Sequence, residues 1–412
     1  RGKIKGERTT HTGTKGEWGM GIDIRGCTNV FIDKVTITDC WGDAIYIGAS
    51  DNKEYCENVT IDKLFADNNR RQGISVISVK TLRILNTTIK NTLGTSPQAG
   101  IDIEPNFPTQ RLEGIFIENY VSENNVYGIS LWLTNMVESK NPIDIFVKNF
   151  TDNGSTVGVR ISTSDAFSAT NEVHGNILFD GVSLNNNKNN AIFSIGYPEK
   201  LPQIKFKNLL IKNPNTSNGN SDSVNSAISI IRQNDSTSTV KVGNIKIEDF
   251  SIINGVNKPK FGIFVHDSLN IGIDNVEFIN PKRIDKGVTD YFYNNGRVIF
   301  EDKYKAIQFD LVNSATNYPL RYYNHWTNKS AVSPKTLTLS DDIKIGSTFT
   351  VTVEAPHLLT IIPSATVGII PIGSGVGKTL SSNVVGSKIK LRKISSTQFV
   401  VEEVIGSWTA QA

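Results

Sequence analysis

Gly100-Ile-Asp-Ile is one copy of a short phrase, a small residue followed by alternating apolar positions, that recurs along most of the chain. The other copies are Gly21-Ile-Asp-Ile, Ala44-Ile-Tyr-Ile, Gly73-Ile-Ser-Val, Gly128-Ile-Ser-Leu, Gly158-Val-Arg-Ile, Ala191-Ile-Phe-Ser, Ala227-Ile-Ser-Ile and Gly262-Ile-Phe-Val. Their starts lie 23 to 36 residues apart, which suits one coil of a parallel β-helix with loops of variable length. The repeat therefore predicts an all-β solenoid before any catalytic motif is considered.

A second recurring phrase lies between those copies, for example at Asn29-Val-Phe-Ile, Asn58-Val-Thr-Ile and Asn244-Ile-Lys-Ile. Runs rich in Asn or Gly follow the apolar strands, as at Asp67-Asn-Asn and Glu123-Asn-Asn. Asparagine tolerates the left-handed backbone conformation, and its amide can bond the turn that it makes. We therefore expect each coil to contain further strands that end at Asn corners.

The repeat weakens beyond the Asn280-Pro corner, and the pattern then changes twice. We predict a parallel β-helix over residues 1–296 and a transition segment rich in aromatic residues over 297–335. Residues 336–412 contain short strands separated by Gly/Ser turns, which is typical of a small antiparallel β-sandwich. This C-terminal domain is expected to serve trimerisation or carbohydrate binding.

Composition excludes several classes of function. Lys plus Arg number 43 against 40 Asp plus Glu, and a net charge of +3 gives no basic field that would favour a nucleic acid partner. No apolar run reaches the roughly 18 residues of a membrane span, so no membrane insertion is expected. The five His and three Cys are scattered, which predicts no metal site and no cofactor. The start, Arg1-Gly-Lys, resembles the middle of a coil, so we expect an absent N-terminal part.

The residues between the inward isoleucines should form a column on the outer face of one sheet. This column mixes acids, aromatic rings and arginines, which suits the binding of a sugar; it contains Asp23, Tyr46, Asp102, Glu104, Trp132 and Arg160. Asp102 and Glu104 share a strand face with Cα atoms roughly 6.6 Å apart. That spacing suits the paired carboxylates of retaining or inverting glycosidases. The alternative is that the two acids only keep an exposed strand soluble.

A second constellation precedes the strands of the first three coils. Alignment on the small residue that starts each phrase places three residue types at one corner. They are the aromatic pair Trp18 and Trp41, the acids Glu17 and Asp43, and the run Arg70-Arg71-Gln72. We expect Trp18 over Trp41 to form a stacking platform, with the arginines binding anionic or hydroxyl groups. The alternative is a structural ladder in which Arg71 pairs with Asp43 or Glu17.

Four stretches in order resemble the tailspike depolymerases of bacteriophages, which have a pectate-lyase-like fold. They lie within residues 1–135 and comprise Gly6 to Ile22, Cys40-Trp-Gly-Asp-Ala-Ile-Tyr-Ile-Gly, Asn69-Arg-Arg-Gln-Gly-Ile-Ser-Val and Gly100-Ile-Asp-Ile-Glu-Pro-Asn. The resemblance implies a right-handed parallel β-helix in a homotrimeric protein of the virion tail, which binds and cleaves bacterial capsular polysaccharide. It also implies attachment to the phage baseplate or tail through an N-terminal part, and it leaves open which acids act.

The leading hypothesis is a capsule depolymerase that hydrolyses glycosidic bonds. Glu104 and Asp102 would be the general acid and base, in either order, with Asp43 and Glu17 as alternative partners. The expected substrate-binding residues are Trp132, Arg71, Arg70, Trp41, Trp18, Tyr46, Arg160 and Asp23. A polysaccharide lyase acting by β-elimination on a uronic acid is the second hypothesis, with Arg71, Tyr46 or His11 as base. A non-enzymatic glycan-binding adhesin is the third.

Overall fold

The structure of the protein is a computed structural model. It describes residues 2–163, 172–217, 221–232, 240–267, 272–285, 287–294, 298–301, 308–310, 318–319, 325–328, 331, 333–339, 348–363, 368–370 and 379–411. The chain divides into two compact units. The first comprises Arg1–Glu277 and Pro281–Arg297, and the second comprises Phe278–Asn280 and Val298–Ala412. Much of the predicted transition segment, 297–335, lies outside the described residues.

The first unit is built almost entirely of short strands. In chain order they are β1 (Gly2–Lys5), β2 (Ile22–Arg25), β3 (Thr28–Asp33), β4 (Val35–Thr38), β5 (Ile45–Gly48), β6 (Cys56–Asp62), β7 (Phe65–Asp67), β8 (Ile74–Val76), β9 (Val79–Leu85), β10 (Thr88–Lys90), β11 (Ala99–Ile103), β12 (Leu112–Glu123), β13 (Tyr127–Trp132), β14 (Ile143–Asn153), β15 (Val157–Ser162), β16 (Gly175–Asn185), β17 (Ile192–Ile195), β18 (Ile204–Lys212), β19 (Ser226–Ile231), β20 (Val242–Ile253), β21 (Phe261–His266), β22 (Ile273–Ile279), β23 (Arg283–Ile284) and β24 (Asp290–Asn294). A short 3-10 helix, Thr134–Met136, follows β13. Within the described ranges, no helix has the length and apolar character needed to cross a membrane.

These strands form two long sheets of parallel neighbours, and each coil contributes strands to both. One sheet has the order β2-β5-β8-β11-β13-β15-β17-β19-β21-β24, and it consists of the recurring Gly-Ile-x-Ile phrases. The other contains β1-β4-β7-β10-β12-β14-β16-β18-β20-β22, and β3, β6 and β9 join it as a branch at β12. This arrangement confirms the predicted parallel β-helix.

The register of the first of these sheets places the alternating apolar residues in columns inside the helix. Ile101 pairs with Ile74 and Ile129, and Ile103 pairs with Val76 and Leu131. All of these side chains are buried. Each buried aliphatic side chain contributes roughly 1.5–3 kcal/mol to folding, which strongly favours this register over a shift by one residue. The residues between them therefore leave the strand on the outer face.

The small residue that opens each phrase is required by close packing between coils. A Cβ atom at Gly100 would clash with the hydroxyl of Tyr120 and would lie 2.8 Å from the carbonyl oxygen of Gly128. That hydroxyl donates a hydrogen bond to the same carbonyl at 3.1 Å. The Gly or Ala start of the repeat thus reflects a position at which one coil closely approaches the next.

The Asn corners are also confirmed. Asn68, Asn91, Asn124, Asn186 and Asn213 all adopt positive φ, between 50° and 56°. Their side chains bond along the axis, as where the amide of Asn91 donates to Asp67 at 2.8 Å. Asparagine suits such a column because it occupies the left-handed region at low cost and bonds the next coil.

The second unit contains two mixed sheets. Its strands are β25 (Val298–Glu301), β26 (Gln308–Asp310), β27 (Tyr318–Pro319), β28 (His325–Thr327), β29 (Lys335–Leu339), β30 (Thr348–Thr352), β31 (Leu359–Pro363), β32 (Gly368–Ile370), β33 (Thr379–Ser382), β34 (Lys388–Ser395), β35 (Gln398–Ile405) and β36 (Thr409–Gln411). The sheet orders are β26-β28-β30-β34-β35-β32 and β27-β29-β31-β33-β36. Antiparallel pairing, as predicted, joins β30 to β34, β34 to β35, β31 to β33 and β33 to β36. The strands from β26 to β31 pair in parallel, a feature that the Gly/Ser turn pattern did not predict.

Candidate functional site

A cavity of about 710 Å³ lies on the outer face of the sheet that contains β5, β8, β11, β13 and β15. Strand residues, the segment that precedes β2 and the loop before β11 all contribute to it. The lining residues are Glu17, Trp18, Met20, Tyr46, Arg71, Ile77, Ser96, Pro97, Gln98, Asp102, Glu104, Asn106, Val126, Tyr127, Ser130, Trp132 and Arg160. Its size suits a segment of an oligosaccharide.

Asp102 leaves β11 on the outer face, in the same column as Ser75 on β8 and Ser130 on β13. The sequence predicted a solvent-exposed acid here, and that prediction is wrong, because Asp102 is only 1% exposed. Its neighbours in the column are small serines, and the amide of Gln72 from the preceding coil bonds its carboxyl group. The carboxyl group is therefore buried beneath the outer face and not in the interior of the helix.

The two oxygens of Asp102 have different surroundings. Oδ2 accepts a hydrogen bond from the amide of Gln72 at 2.9 Å, and the Oε1 atom of Gln72 accepts one from the backbone N–H of Ala99 at 2.8 Å. Oδ1 of Asp102 and Oγ of Ser130 are both buried, and neither makes a hydrogen bond of good geometry, although the Ser130 hydroxyl lies close enough to Asp102 to lower its pKa. A buried polar atom without a well-formed hydrogen bond is uncommon in native proteins and calls for an explanation.

Burial raises the pKa of Asp102 well above its usual range, and the negative charge of Glu104 and a hydrogen bond with its side chain raise it further. The Ser130 hydroxyl and the charge of Arg71 act in the opposite direction but are outweighed. Glu104 lies two residues along the same strand face, and its side chain is 30% exposed. The pair thus combines a buried carboxyl group whose protonated form is favoured with a more accessible one, an asymmetry that acid–base chemistry uses.

Arg71 is the centre of the acidic cluster. Its guanidinium nitrogens lie 3.3 Å from Glu17 Oε2, 3.4 Å from Asp43 Oδ2 and 3.9 Å from Glu104 Oε2. Burial would lower the pKa of Arg71, but the surrounding carboxylates, including Asp102, raise it above its usual value. The structure therefore contains the ion pairs of Arg71 with Asp43 and Glu17 that the alternative interpretation of this corner, a structural ladder, predicted. Glu104 is a third carboxylate near the same guanidinium.

Asp43 lies behind this cluster and is not among the residues that line the cavity. It is fully buried, and its Oδ2 accepts a hydrogen bond from the hydroxyl of Ser75 at 2.7 Å. Burial raises its pKa to about 6, although Arg71 and the Ser75 hydrogen bond both act in the opposite direction. Its position suits a group that holds Arg71 in place and does not reach a substrate.

Aromatic side chains form part of the wall of the cavity. Trp132 and Tyr127, both on β13, are half-buried, and the guanidinium of Arg160 on β15 lies 4.6 Å and 4.8 Å from the centres of their rings. Trp18 is 66% exposed, and Tyr46 lies beneath the guanidinium of Arg25 at 4.4 Å. Partly exposed rings of this kind are suited to stacking on the apolar faces of pyranoses.

Three residues that the sequence assigned to substrate binding lie away from the cavity: Trp41, Arg70 and Asp23. The predicted stacking of Trp18 on Trp41 is wrong. Trp41 instead stacks on His11, with ring centres 3.9 Å apart, and the guanidinium of Arg70 lies 3.9 Å from the same ring. Arg70 also donates to the carbonyl of Gly16 at 2.8 Å, and Asp23 is paired with Arg25 at 2.9 Å. These groups fix the segment before β2 and its surroundings.

Sequence reasoning missed several groups that shape the site. Gln72 belonged to a run interpreted as a surface fork, whereas it is fully buried and orients Asp102. Ser130, which lies in the same outer column, was given no role. Tyr127 is the first residue of β13 and Gln98 directly precedes β11, and no periodic pattern marks either side chain as facing the cavity. Alignment of Ser75, Asp102 and Ser130 in one column was the signal that could have indicated a buried acid.

In the part of the chain that the structure describes, no group of three or more His, Cys, Asp or Glu residues is arranged to hold a metal ion. The acidic cluster instead has the guanidinium of Arg71 as its cation.

Comparison with known proteins gives one family match and a small number of similar proteins. Residues 15–143 match the family described as "Right handed beta helix region". Two curated proteins of Bacillus subtilis (strain 168) are similar: the uncharacterized protein YclG, 37% identical over 117 residues, and the SPbeta prophage-derived uncharacterized protein YorA, 34% identical over 110 residues. These matches cover 25% and 24% of this chain, and 20% and 18% of the relatives, so the chain spans about a fifth of their length.

Among solved structures, an N-terminal fragment of the bacteriophage Phi29 gene product 12 is similar, and the match covers 82% of this chain and 67% of the fragment. The sequence identity is 15% and the TM-score is 0.29. The family match and the parallel sheets together assign residues 15–143 to a right-handed β-helix.

Proposed function

We propose that this chain is a glycoside hydrolase that depolymerises bacterial capsular polysaccharide. The observation that carries the proposal is the Asp102–Glu104 pair in a cavity with partly exposed aromatic rings. Most glycosidases use two carboxyl groups, one that is protonated and one that is ionised, and the raised pKa of Asp102 beside the more accessible Glu104 provides such a pair. The resemblance to tailspike depolymerases and the β-helix match over residues 15–143 support the same reading.

The two carboxyl groups take different roles in this proposal. Asp102 is the general acid, because burial and the neighbouring charge raise its pKa and favour its protonated form. It protonates the glycosidic oxygen as the bond to the anomeric carbon breaks. Glu104 is the carboxylate partner, which either attacks the anomeric carbon or activates the water that does so. Arg71 and Gln72 position the pair.

Three observations favour hydrolysis over β-elimination. Elimination needs a base at the reacting sugar, and Arg71 is held near three carboxylates with its pKa raised. Burial likewise raises the pKa of Tyr46, which makes it a weaker candidate. His11 stacks on Trp41, bonds Glu7 at 2.9 Å and does not line the cavity. The residues considered as lyase bases are therefore poorly placed or poorly suited for that role.

The biological setting is proposed on separate grounds. The relative YorA is described as prophage-derived, and the four sequence stretches resemble phage tailspikes. We therefore place the protein on a virion tail, acting outside the host cell on its capsule. A homotrimer and an N-terminal attachment to the baseplate or tail remain predictions from the resemblance.

The test uses capsular polysaccharides from a panel of bacterial strains. The wild-type protein should clear capsule in a halo assay and release saturated oligosaccharides, which mass spectrometry identifies. Glu104→Gln should remove this activity and keep glycan binding, while Glu118→Gln, at an ion pair with Lys148 on another sheet, should keep both. Unsaturated products that absorb in the ultraviolet would establish a lyase, and binding without any cleavage would establish an adhesin.

A further inference from the structure

Two arginines line the cavity, and they differ in what surrounds them. Arg71 lies within 4.0 Å of three carboxylates. Among the residues that the structure describes, no carboxylate lies within that distance of Arg160. Arg160 therefore supplies a positive charge that the described part of the cavity does not neutralise, whereas the charge of Arg71 is already balanced.

The guanidinium of Arg160 is nevertheless held in a defined place. Its central carbon lies 4.6 Å from the ring centre of Trp132 and 4.8 Å from that of Tyr127. Contact with aromatic faces stabilises the cation and leaves the N–H groups at the edge of the guanidinium plane free to donate. A planar fork of donors in this state matches the geometry of a carboxylate.

The position of Arg160 separates it from the reacting acids. Arg160 pairs with Ser130, and Ser130 pairs with Asp102, so the three residues follow one another along the column. Adjacent strands lie about 4.8 Å apart, and both rings under the guanidinium belong to the strand between. The column positions of Asp102 and Arg160 are thus about 9.6 Å apart, and the guanidinium itself lies over β13 between them.

We propose that Arg160, Tyr127 and Trp132 form a subsite for a carboxylate-bearing sugar of the polysaccharide, next to the sugars at the scissile bond. This inference rests on the proposed function and names the class of its substrate: an acidic glycan whose charged residue is bound at a distance from the chemistry. The carboxylate is bound by the edge of the Arg160 guanidinium, and the pyranose ring packs on the neighbouring aromatic side chains. The charge therefore selects the substrate and takes no part in bond cleavage.

The test compares each capsular polysaccharide of the panel in its native form and after its carboxyl groups are reduced to alcohols. Affinities are measured in the Glu104→Gln background, so that cleavage does not interfere. The native form of the best ligand should bind about 10- to 100-fold more tightly than the reduced form, the range for a hydrogen-bonded charged pair. Arg160→Met should abolish this difference, and Arg160→Lys, which keeps the charge but loses the fork, should retain part of it.

Arg83→Met is the matched control, because Arg83 also lies over an aromatic ring, that of Phe116, but on the other sheet. It should preserve the full preference for the native form. A preference below twofold, or one that survives in Arg160→Met, would overturn the subsite. Turnover by the wild-type protein is a separate readout. Cleavage without a preference for the native, carboxylate-bearing polysaccharide overturns the proposed subsite alone. A preference in binding without any cleavage overturns the proposed hydrolase activity alone.

Discussion

Asp102 and Asp152 are both fully buried acids of the β-helix, and burial raises the pKa of each. Their surroundings differ. Both oxygens of Asp152 have a hydrogen-bond donor: Oδ1 accepts a hydrogen bond from the Ser155 hydroxyl at 2.6 Å, and Oδ2 accepts one from the Asn187 amide at 2.7 Å. Oδ1 of Asp102 makes no hydrogen bond of good geometry, and the residue lines a cavity and adjoins a second carboxyl group. A raised pKa alone therefore does not identify a site.

The difference between the two acids follows from the register of their strands. Asp152 pairs with Leu184 on β16 and Ser122 on β12, in a column that faces the interior of the helix. Asp102 lies in an outward column and lines the cavity. The interior acid can thus be a structural element that the packing satisfies, whereas the outward acid remains next to a space that a ligand can enter.

The largest expected effect is a loss of depolymerisation rate that occurs when Asp102 is replaced and not when Asp152 is replaced. Asp102→Asn removes the proposed general acid and should lower the rate of depolymerisation about 10²- to 10⁴-fold, the usual contribution of such a group. Asp152→Asn should keep the rate within a few-fold of wild type, because Asp152 contacts no lining residue of the cavity through its hydrogen bonds. The rate of reducing-end release from capsule measures both. Equal losses in the two variants would contradict the distinction.

The next largest effect is on stability and concerns Arg71, the cation of the acidic cluster. Arg71→Met leaves the buried Asp43 without its charge partner, which should lower the free energy of unfolding by about 3–5 kcal/mol at pH 8. The loss should be smaller at pH 5, because Asp43, whose pKa is about 6, is then mostly protonated and needs no cation. Denaturant unfolding at the two pH values measures the difference.

Arg25→Met is the control for that experiment. Arg25 pairs with Asp23 at 2.9 Å, but the two side chains are 37% and 42% exposed, so solvent screens the pair and its loss should cost under about 1 kcal/mol at either pH. A penalty for Arg71→Met that does not change between pH 5 and pH 8 would show that the arginine acts by packing and not by neutralising Asp43.

Sequence patterns predicted the repeat more completely than the site. The Gly-Ile-x-Ile phrases and Asn corners are local signals, because alternation and positive φ each depend on few residues. The stacking of Trp41 on His11 could not be derived from these signals, because the segment that contains His11 has no periodic pattern and its path depends on distant contacts. The burial of Asp102 depends on the size of its column neighbours and on Gln72, which belong to other coils.

Asp152 should make the free energy of unfolding depend on pH. Burial raises its pKa from 3.8 to about 7, so between those values the folded protein binds more protons than the unfolded chain. Stability must then fall as the pH rises through this window, by up to about 4 kcal/mol. Asp152→Asn lacks the titrating group, so its free energy of unfolding relative to wild type should increase from pH 4 to pH 7 and then level off. A relative stability that stays constant from pH 4 to pH 8 would contradict the assignment.

The smallest effect distinguishes two tryptophans of the outer face. Trp132→Leu removes an aromatic wall of the cavity and should weaken polysaccharide binding by about 1 kcal/mol, close to fivefold, because ring stacking contributes about that amount. Trp41→Leu should leave the affinity nearly unchanged and lower the thermal midpoint instead, since His11 and Arg70 pack against its ring. Binding isotherms and melting curves of both variants measure the two effects. If Trp41→Leu weakened binding as much as Trp132→Leu while its melting curve stayed unchanged, Trp41 would have to contact the glycan, and the boundary drawn between the cavity and its structural surroundings would move to include it.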